Sequence, residues 1–178
     1  MFLKFTVSIV GGVVTKLNDP IMGTFGGVDF LFHISSDSNR VVYKAAQDTD
    51  FIEELYSVSI EGGEVIKLNQ FLARGRDVQN FKVSPNSDYV VYSADIEVNN
   101  TYDVFSVPLM GGTPIRLHDS IVENGSIVEF QITPDGQRVV YRGDPFVDGV
   151  SELYSVSLDG EDTVKLNEEL VEKRGVRG

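Results

Sequence analysis

The sequence predicts an all-β fold of tandem four-stranded antiparallel units, and three observations predict it. A segment running from Leu55 to Asn69 returns from Val104 to His118 and again from Leu153 to Asn167, with Phe5 to Asn18 as a fourth copy. A second segment alternates with it: Val78 to Tyr92 matches Ile127 to Tyr141, and Val28 to Tyr43 is a degenerate version. Landmarks in both segments keep one period, because Tyr43, Tyr92 and Tyr141 stand 49 residues apart and so do Ser57, Ser106 and Ser155. Self-similarity at a fixed period is the signature of a repeat architecture.

Each segment reads as a hairpin, since short β-branched and aromatic runs flank residues suited to a tight turn. Thr133-Pro134-Asp135-Gly136 places Pro where a type I turn fixes φ and Gly where φ turns positive. Gly62-Gly63 and Gly111-Gly112 serve the other hairpin. Four strands per unit follow, A and B around the first turn and C and D around the second. Runs such as Tyr89 to Tyr92 and Arg138 to Tyr141 are apolar on both faces, as expected of a sheet sandwiched between two neighbours. Units of this kind stack as the blades of a β-propeller. Two turns depart from the pattern: Ser35 to Ser38 lacks the Pro and the Gly, and Asn86-Ser87 replaces Asp-Gly, which should weaken those turns.

One domain, 1–178, is expected from the 178-residue length. It divides into a half-blade at 3–18, whole blades at 28–69, 78–118 and 127–167, and a C-terminal tail at 168–178. The start, Met1 to Val10, reads as a strand rather than a signal peptide because β-branched residues lead into Gly11-Gly12. Closed propellers use about four or more blades, so the ring is incomplete and leaves apolar blade faces uncovered. Oligomerisation is the expected remedy, with a homodimer foremost. A two-fold axis along the ring would make the blade count even. Edge-to-edge pairing of two N-terminal hairpins is an alternative geometry, and a fragment of a longer propeller gene with no independent role is another reading of the same count.

Twenty-seven acidic residues against fifteen basic ones give a net charge of −12. Such a surface repels phosphate backbones and anionic lipid, so neither nucleic acid nor membrane is expected as a partner. No apolar run approaches the roughly 20 residues that span a bilayer. The absence of cysteine excludes disulfides and thiolate metal sites and leaves the redox compartment unreadable.

The Ser/Thr-Pro-Asp-Gly turn before a Val-Val-Tyr strand, followed by Leu-Tyr-Ser-Val-Ser-Leu-Asp-Gly and Lys-Leu-Asn, resembles the TolB-type β-propeller repeats, also called WD-like propeller repeats. The resemblance runs from about Phe5 to Asn167. It implies a propeller of the kind found in translocation accessory proteins, in oligopeptidase propellers and in many proteins of unassigned role. It permits a periplasmic location and singles out no activity.

The A–B and C–D turns of such a blade emerge on one face of the disc, and the B–C and D–A connections on the other. The B–C loops, at 44–54, 93–103 and 142–152, are the elaborate ones and carry many carboxylates. Asp48, Asp50, Asp95, Glu97, Asp144 and Asp148 are therefore the candidate partner-binding residues, because loops on a rigid scaffold are where binding groups tend to sit. Carboxylates with loop carbonyls would suit Ca²⁺, but solvated turn residues are the simpler expectation, so no metal and no cofactor is expected. Arg74 and Arg76 add a basic spot to the D–A loop, where they could pair with a neighbouring carboxylate. His118 fills the slot held by Asn18, Asn69 and Asn167 in the other copies, which makes it a repeat position. No G-x-S-x-G elbow, H-E-x-x-H pair or phosphate-cradling Gly loop is present. The functional expectation is a non-enzymatic scaffold or protein-interaction module that binds a partner through the B–C/D–A loop face. The alternatives are an accessory propeller of a hydrolase and a metal-dependent propeller lyase.

Overall fold

A computed structural model describes residues 5–6, 12–21, 24, 26–98, 101–118, 121–123 and 125–168. The remainder of the expected half-blade at 3–18 and most of the 168–178 tail lie outside the described residues. Within them the chain forms fourteen strands and no helix. Blade 1 is β3 (Val28–Ile34), β4 (Arg40–Ala45), β5 (Glu54–Ser59) and β6 (Ile66–Lys67). Blade 2 is β7 (Val78–Val83), β8 (Tyr89–Ala94), β9 (Asp103–Pro108) and β10 (Ile115–Arg116). Blade 3 is β11 (Ile127–Ile132), β12 (Arg138–Gly143), β13 (Glu152–Ser157) and β14 (Val164–Lys165). Each is a four-stranded antiparallel sheet in chain order, and β1 (Phe5–Thr6) pairs with β2 (Thr15–Lys16) as a separate two-stranded sheet. The predicted blades and half-blade are thus present with the predicted strand order.

Repetition in sequence becomes repetition in packing. Across strands B and C, Tyr43 stacks on Tyr56, Tyr92 on Phe105 and Tyr141 on Tyr154, with ring centroids 5.6, 5.3 and 5.3 Å apart. Between blades, Val42, Leu55 and Leu68 of blade 1 join one apolar cluster with Val78, Phe81, Val90 and Tyr92 of blade 2. Val91, Val104 and Leu117 of blade 2 meet Ile127, Phe130, Val139 and Tyr141 of blade 3 in the same way. Leu17 covers the outer face of blade 1 against Val28, Val41, Tyr43 and Tyr56. The core is therefore a series of inter-blade layers, which is why both faces of each strand had to be apolar.

The two irregular turns keep their geometry at a conformational cost. Ser38 and Ser87 adopt φ of 62°, at the point where Gly136 adopts 69°, and a non-glycine residue there costs about 1 kcal/mol or more. Side-chain hydrogen bonds hold both turns in shape: Ser35 Oγ donates to Asp37 at 2.5 Å in the first, and Ser84 Oγ accepts the Tyr89 N–H at 2.9 Å in the second.

Strand A carries a bulge in every blade. Between Val78↔Ala94 and Asn80↔Ser93, blade 2 has Gln79 as its extra residue, and blade 3 has Val128 between Ile127↔Gly143 and Glu129↔Arg142. Blade 1 is one residue longer here, passing from Val28↔Ala45 to Phe32↔Tyr43, so that Asp29, Phe30 and Leu31 lie opposite Lys44 alone. This insertion is what made the Val28 to Tyr43 copy look degenerate.

The tyrosine layers give the fold a pH limit. Burial raises the hydroxyls of Tyr43, Tyr56, Tyr92 and Tyr154 above their ordinary value of 10.0. Tyrosine is neutral when protonated, so this stabilisation is complete below pH 10 and is lost as rising pH ionises the unfolded chain first. Denaturation midpoints are expected to hold up to about pH 9 and to fall clearly by about pH 11, in step with tyrosinate absorbance. A midpoint unchanged over that range would contradict the buried stacks.

Candidate functional site

The loop face is organised by the first residue of strand C. Glu54, Asp103 and Glu152 occupy that position in the three blades, and each meets the cation that ends strand D. Lys67 pairs with Glu54, Arg116 with Asp103 at 3.4 Å and Lys165 with Glu152 at 2.5 Å. The strand C tyrosine completes the group: Tyr56 Oη donates to Glu54 at 3.0 Å and Tyr154 Oη to Glu152 at 2.5 Å. In blade 2 the tyrosine is Phe105, and Arg116 lies over its ring at 5.7 Å instead.

Two of the six predicted binding residues extend this network. Asp48 pairs with Lys67 at 3.2 Å and Glu97, its equivalent one period later, with Arg116 at 2.6 Å. Blade 3 has Phe146 at that position, and its ring packs edge-on against Tyr154 at 5.2 Å. Asp95 and Asp144 serve a different purpose. Asp95 Oδ1 accepts the Asp77 N–H at 2.8 Å, and Asp77 Oδ1 in turn accepts the Glu53 N–H at 2.6 Å. Asp144 Oδ1 accepts the Ser126 N–H at 2.8 Å, and Ser126 Oγ accepts the Tyr102 N–H at 3.3 Å. Each aspartate thus fixes the entry to strand A, and that entry residue clamps the loop of the preceding blade. Asp50 Oδ2 accepts the Thr24 N–H at 3.1 Å, while Asp148 stands exposed in the third loop. The six lie in the B–C loops, and the structure divides five of them between cations of strand D and backbone N–H groups without gathering them into one cluster.

His118 behaves as a repeat position. Its Nε2 accepts the Val104 N–H at 3.3 Å, where Asn69 and Asn167 Oδ1 accept the Leu55 and Leu153 N–H groups at 2.7 Å. Among the described residues neither Arg74 nor Arg76 makes an ion pair, contrary to the pairing expected of that basic spot. Of the six carboxylates, Asp48 and Glu97 are engaged with cations and Asp50, Asp95 and Asp144 with backbone N–H groups, and among the described residues no group of three or more His, Asp or Glu side chains is placed to hold a metal ion. Millimolar Ca²⁺ is therefore expected to leave the melting temperature unchanged, since no preferential binding to the folded state would follow. A rise of several degrees that Asp95→Asn with Asp144→Asn abolishes would contradict this.

Two features escaped the sequence reading. The loop face also exposes apolar side chains, Phe71 in a D–A connection and Val98 and Val147 in the second and third B–C loops. Val98 and Val147 stand one 49-residue period apart, and the buried core positions repeat in the same way, so the period alone did not mark them as exposed. The other feature is Lys44, whose buried ammonium is held between blades 1 and 2. It contacts Asp29 at 3.1 Å, Glu53 at 2.7 Å and the carbonyl oxygens of Val78 and Gln79 at 3.1 and 3.4 Å.

The end of blade 3 is the counterpart of an internal interface left open. Leu55 and Val104 are 0% exposed, whereas their equivalent Leu153 is 37% exposed. Leu68 and Leu117 are 1% and 0% exposed, and Leu166 is 49%. At the other end Phe32 is 46% exposed where Phe81 and Phe130 are 1% and 4%.

No protein-family model matches the chain, and no match is found among curated proteins. Similar solved structures do exist. A putative TolB from Agrobacterium tumefaciens superposes with a TM-score of 0.58 at 18% identity, over 94% of this chain and 55% of that one. TolB from Acinetobacter baumannii gives 0.51 at 16% identity, over 88% of this chain and 35% of that one. An oligogalacturonate lyase in complex with manganese gives 0.59 at 12% identity, over 92% and 46%. The chain therefore spans about half the length of these structures or less. Blade order, inter-blade layers and these likenesses together show that the fold is that of a TolB-like β-propeller, present here as an arc of three blades and a two-stranded sheet.

Proposed function

We propose that the chain is a non-enzymatic propeller module that binds a protein partner through its B–C/D–A loop face. The observation that carries this reading is the exposure of Phe71, Val98 and Val147 among the carboxylates of that face. Apolar groups rimmed by charge on a rigid scaffold are the composition of an interaction surface. Asp48, Asp50, Glu97 and Asp148 supply an acidic rim that favours a partner with basic residues around an apolar centre. The test is chemical cross-linking of the protein in its native host, comparing the wild type with Phe71→Ser/Val98→Ser/Val147→Ser. One partner captured by the wild type and lost from the variant is expected. Equal capture by both, or hydrolysis of an ester, peptide or glycoside substrate that a single substitution in this chain abolishes, would overturn the reading.

The same proposal includes a second copy of the chain. Blade 3 ends in a face whose equivalents are buried inside blades 1 and 2, and burial of such surface is worth about 25 cal/mol per Å². Covering it with another copy supplies a favourable term to set against association costs of roughly 4–15 kcal/mol. The binding face lies off the blade faces, so assembly leaves the loops available.

A further inference from the structure

A pocket of about 490 Å³ lies between blades 2 and 3, lined by Gln79, Ser93, Tyr102, Ile127 and Val128, with Lys82 and Glu129 among the remaining wall residues. Its position is the place that Lys44 fills between blades 1 and 2. Ser93, Tyr102, Ile127 and Val128 lie 49 residues after Lys44, Glu53, Val78 and Gln79, and Gln79 occupies the strand A bulge that Asp29 occupies in blade 1. Every member of the lysine site thus has its counterpart in the pocket wall. The lysine itself has become a serine, too short to cross the gap, and its two carboxylate partners have become Gln79 and Tyr102.

The remaining chemistry selects a ligand. In the filled groove the backbone carbonyls of residues 78 and 79 accept hydrogen bonds from an ammonium group, and residues 127 and 128 repeat that backbone in the pocket. An aromatic ring at Tyr102 favours a cation as well. Lys82 lines the same pocket, with Gln131 Oε1 at 2.6 Å as its hydrogen-bond partner, and supplies a positive charge for an anionic group. Glu129, on the facing strand A, supplies the opposite charge. One cation and one anion in the wall suit a ligand with no net charge that carries both signs.

We infer that the pocket between blades 2 and 3 binds a small zwitterion of the amino-acid type, its ammonium group taking the place that Lys44 Nζ holds one blade earlier and its carboxylate facing Lys82. The test is amide chemical-shift titration of the full chain with glycine, γ-aminobutyrate and glycylglycine, zwitterions of increasing charge separation. Ethylamine and acetate serve as single-charge controls. Saturable shifts at Ser93, Ile127 and Val128 are expected with at least one zwitterion, and each control should bind about tenfold or more weakly, as loss of a charged hydrogen bond implies. Ser93→Lys, which tethers an ammonium in the site, should abolish binding, and Lys82→Gln should weaken the zwitterion while leaving ethylamine unaffected. Ser93→Leu fills the gap without charge and stands in if Ser93→Lys does not fold. No saturable shift with any of the three zwitterions would overturn the inference. So would ethylamine binding as tightly as they do, or undiminished binding when position 93 is filled.

Discussion

Replacing Lys44 by alanine is expected to destabilise the protein by about 3–5 kcal/mol, the range for removing one partner from a buried charge pair. Most of that cost falls on Asp29, whose side chain is only 11% exposed and would be left buried without its partner. Glu53 is half exposed and water screens it, so its share is small. The carbonyls of Val78 and Gln79 would lose a donor as well. The protein supplies its own control, because the equivalent groove between blades 2 and 3 has no charged triad. Lys44→Ser with Asp29→Gln and Glu53→Tyr copies that groove and should recover much of the loss, since an ion cluster removed as a unit costs less than one broken. Chemical denaturation of the two variants decides the matter. A loss below about 1 kcal/mol in Lys44→Ala would place the pair among exposed ones.

The second large effect is expected at the open end of blade 3. Leu153→Asp with Leu166→Asp should leave the blades folded and raise the dissociation constant for self-association about a hundredfold or more. Burying each leucine contributes roughly 1.5–3 kcal/mol, and every 1.4 kcal/mol is a factor of ten. The same change at Leu55 and Leu68, which hold the equivalent positions inside the arc, should instead unfold the chain, because a carboxylate would be buried without a partner. A pair of variants whose positions differ only by two 49-residue steps therefore separates assembly from folding.

The architecture was legible because the information that specifies it is repeated. Tyr43, Tyr92 and Tyr141 mark strand B, the Gly pairs mark the C–D turns, and each copy corroborates the others. Ser38 and Ser87 show how far this carries: the turn persists without its glycine because the flanking strands determine its shape. The roles of Asp95 and Asp144 were not legible in the same way. Their partners are N–H groups of the preceding connection, Asp77 and Ser126, and backbone N–H groups leave no trace in side-chain composition. The carboxylates were visible as a set on one face, while their division into loop clamps and ion pairs depended on neighbours across strands and blades. Lys44 was hidden for a related reason. Its ligands come from the bulge beside it, from its own B–C loop and from the next blade, and the one-residue insertion in blade 1 that presents Asp29 shifts the alignment by which a repeat comparison would have found it.

The measurement that bears most directly on this account is the solution mass of the wild-type chain by light scattering at micromolar concentration. An arc with Leu153 and Leu166 exposed on a blade face is expected to run as a discrete homo-oligomer, a dimer foremost, that Leu153→Asp with Leu166→Asp converts to monomer. A compact, well-behaved wild-type monomer would contradict it, because the open face would then be stable in water without a second copy.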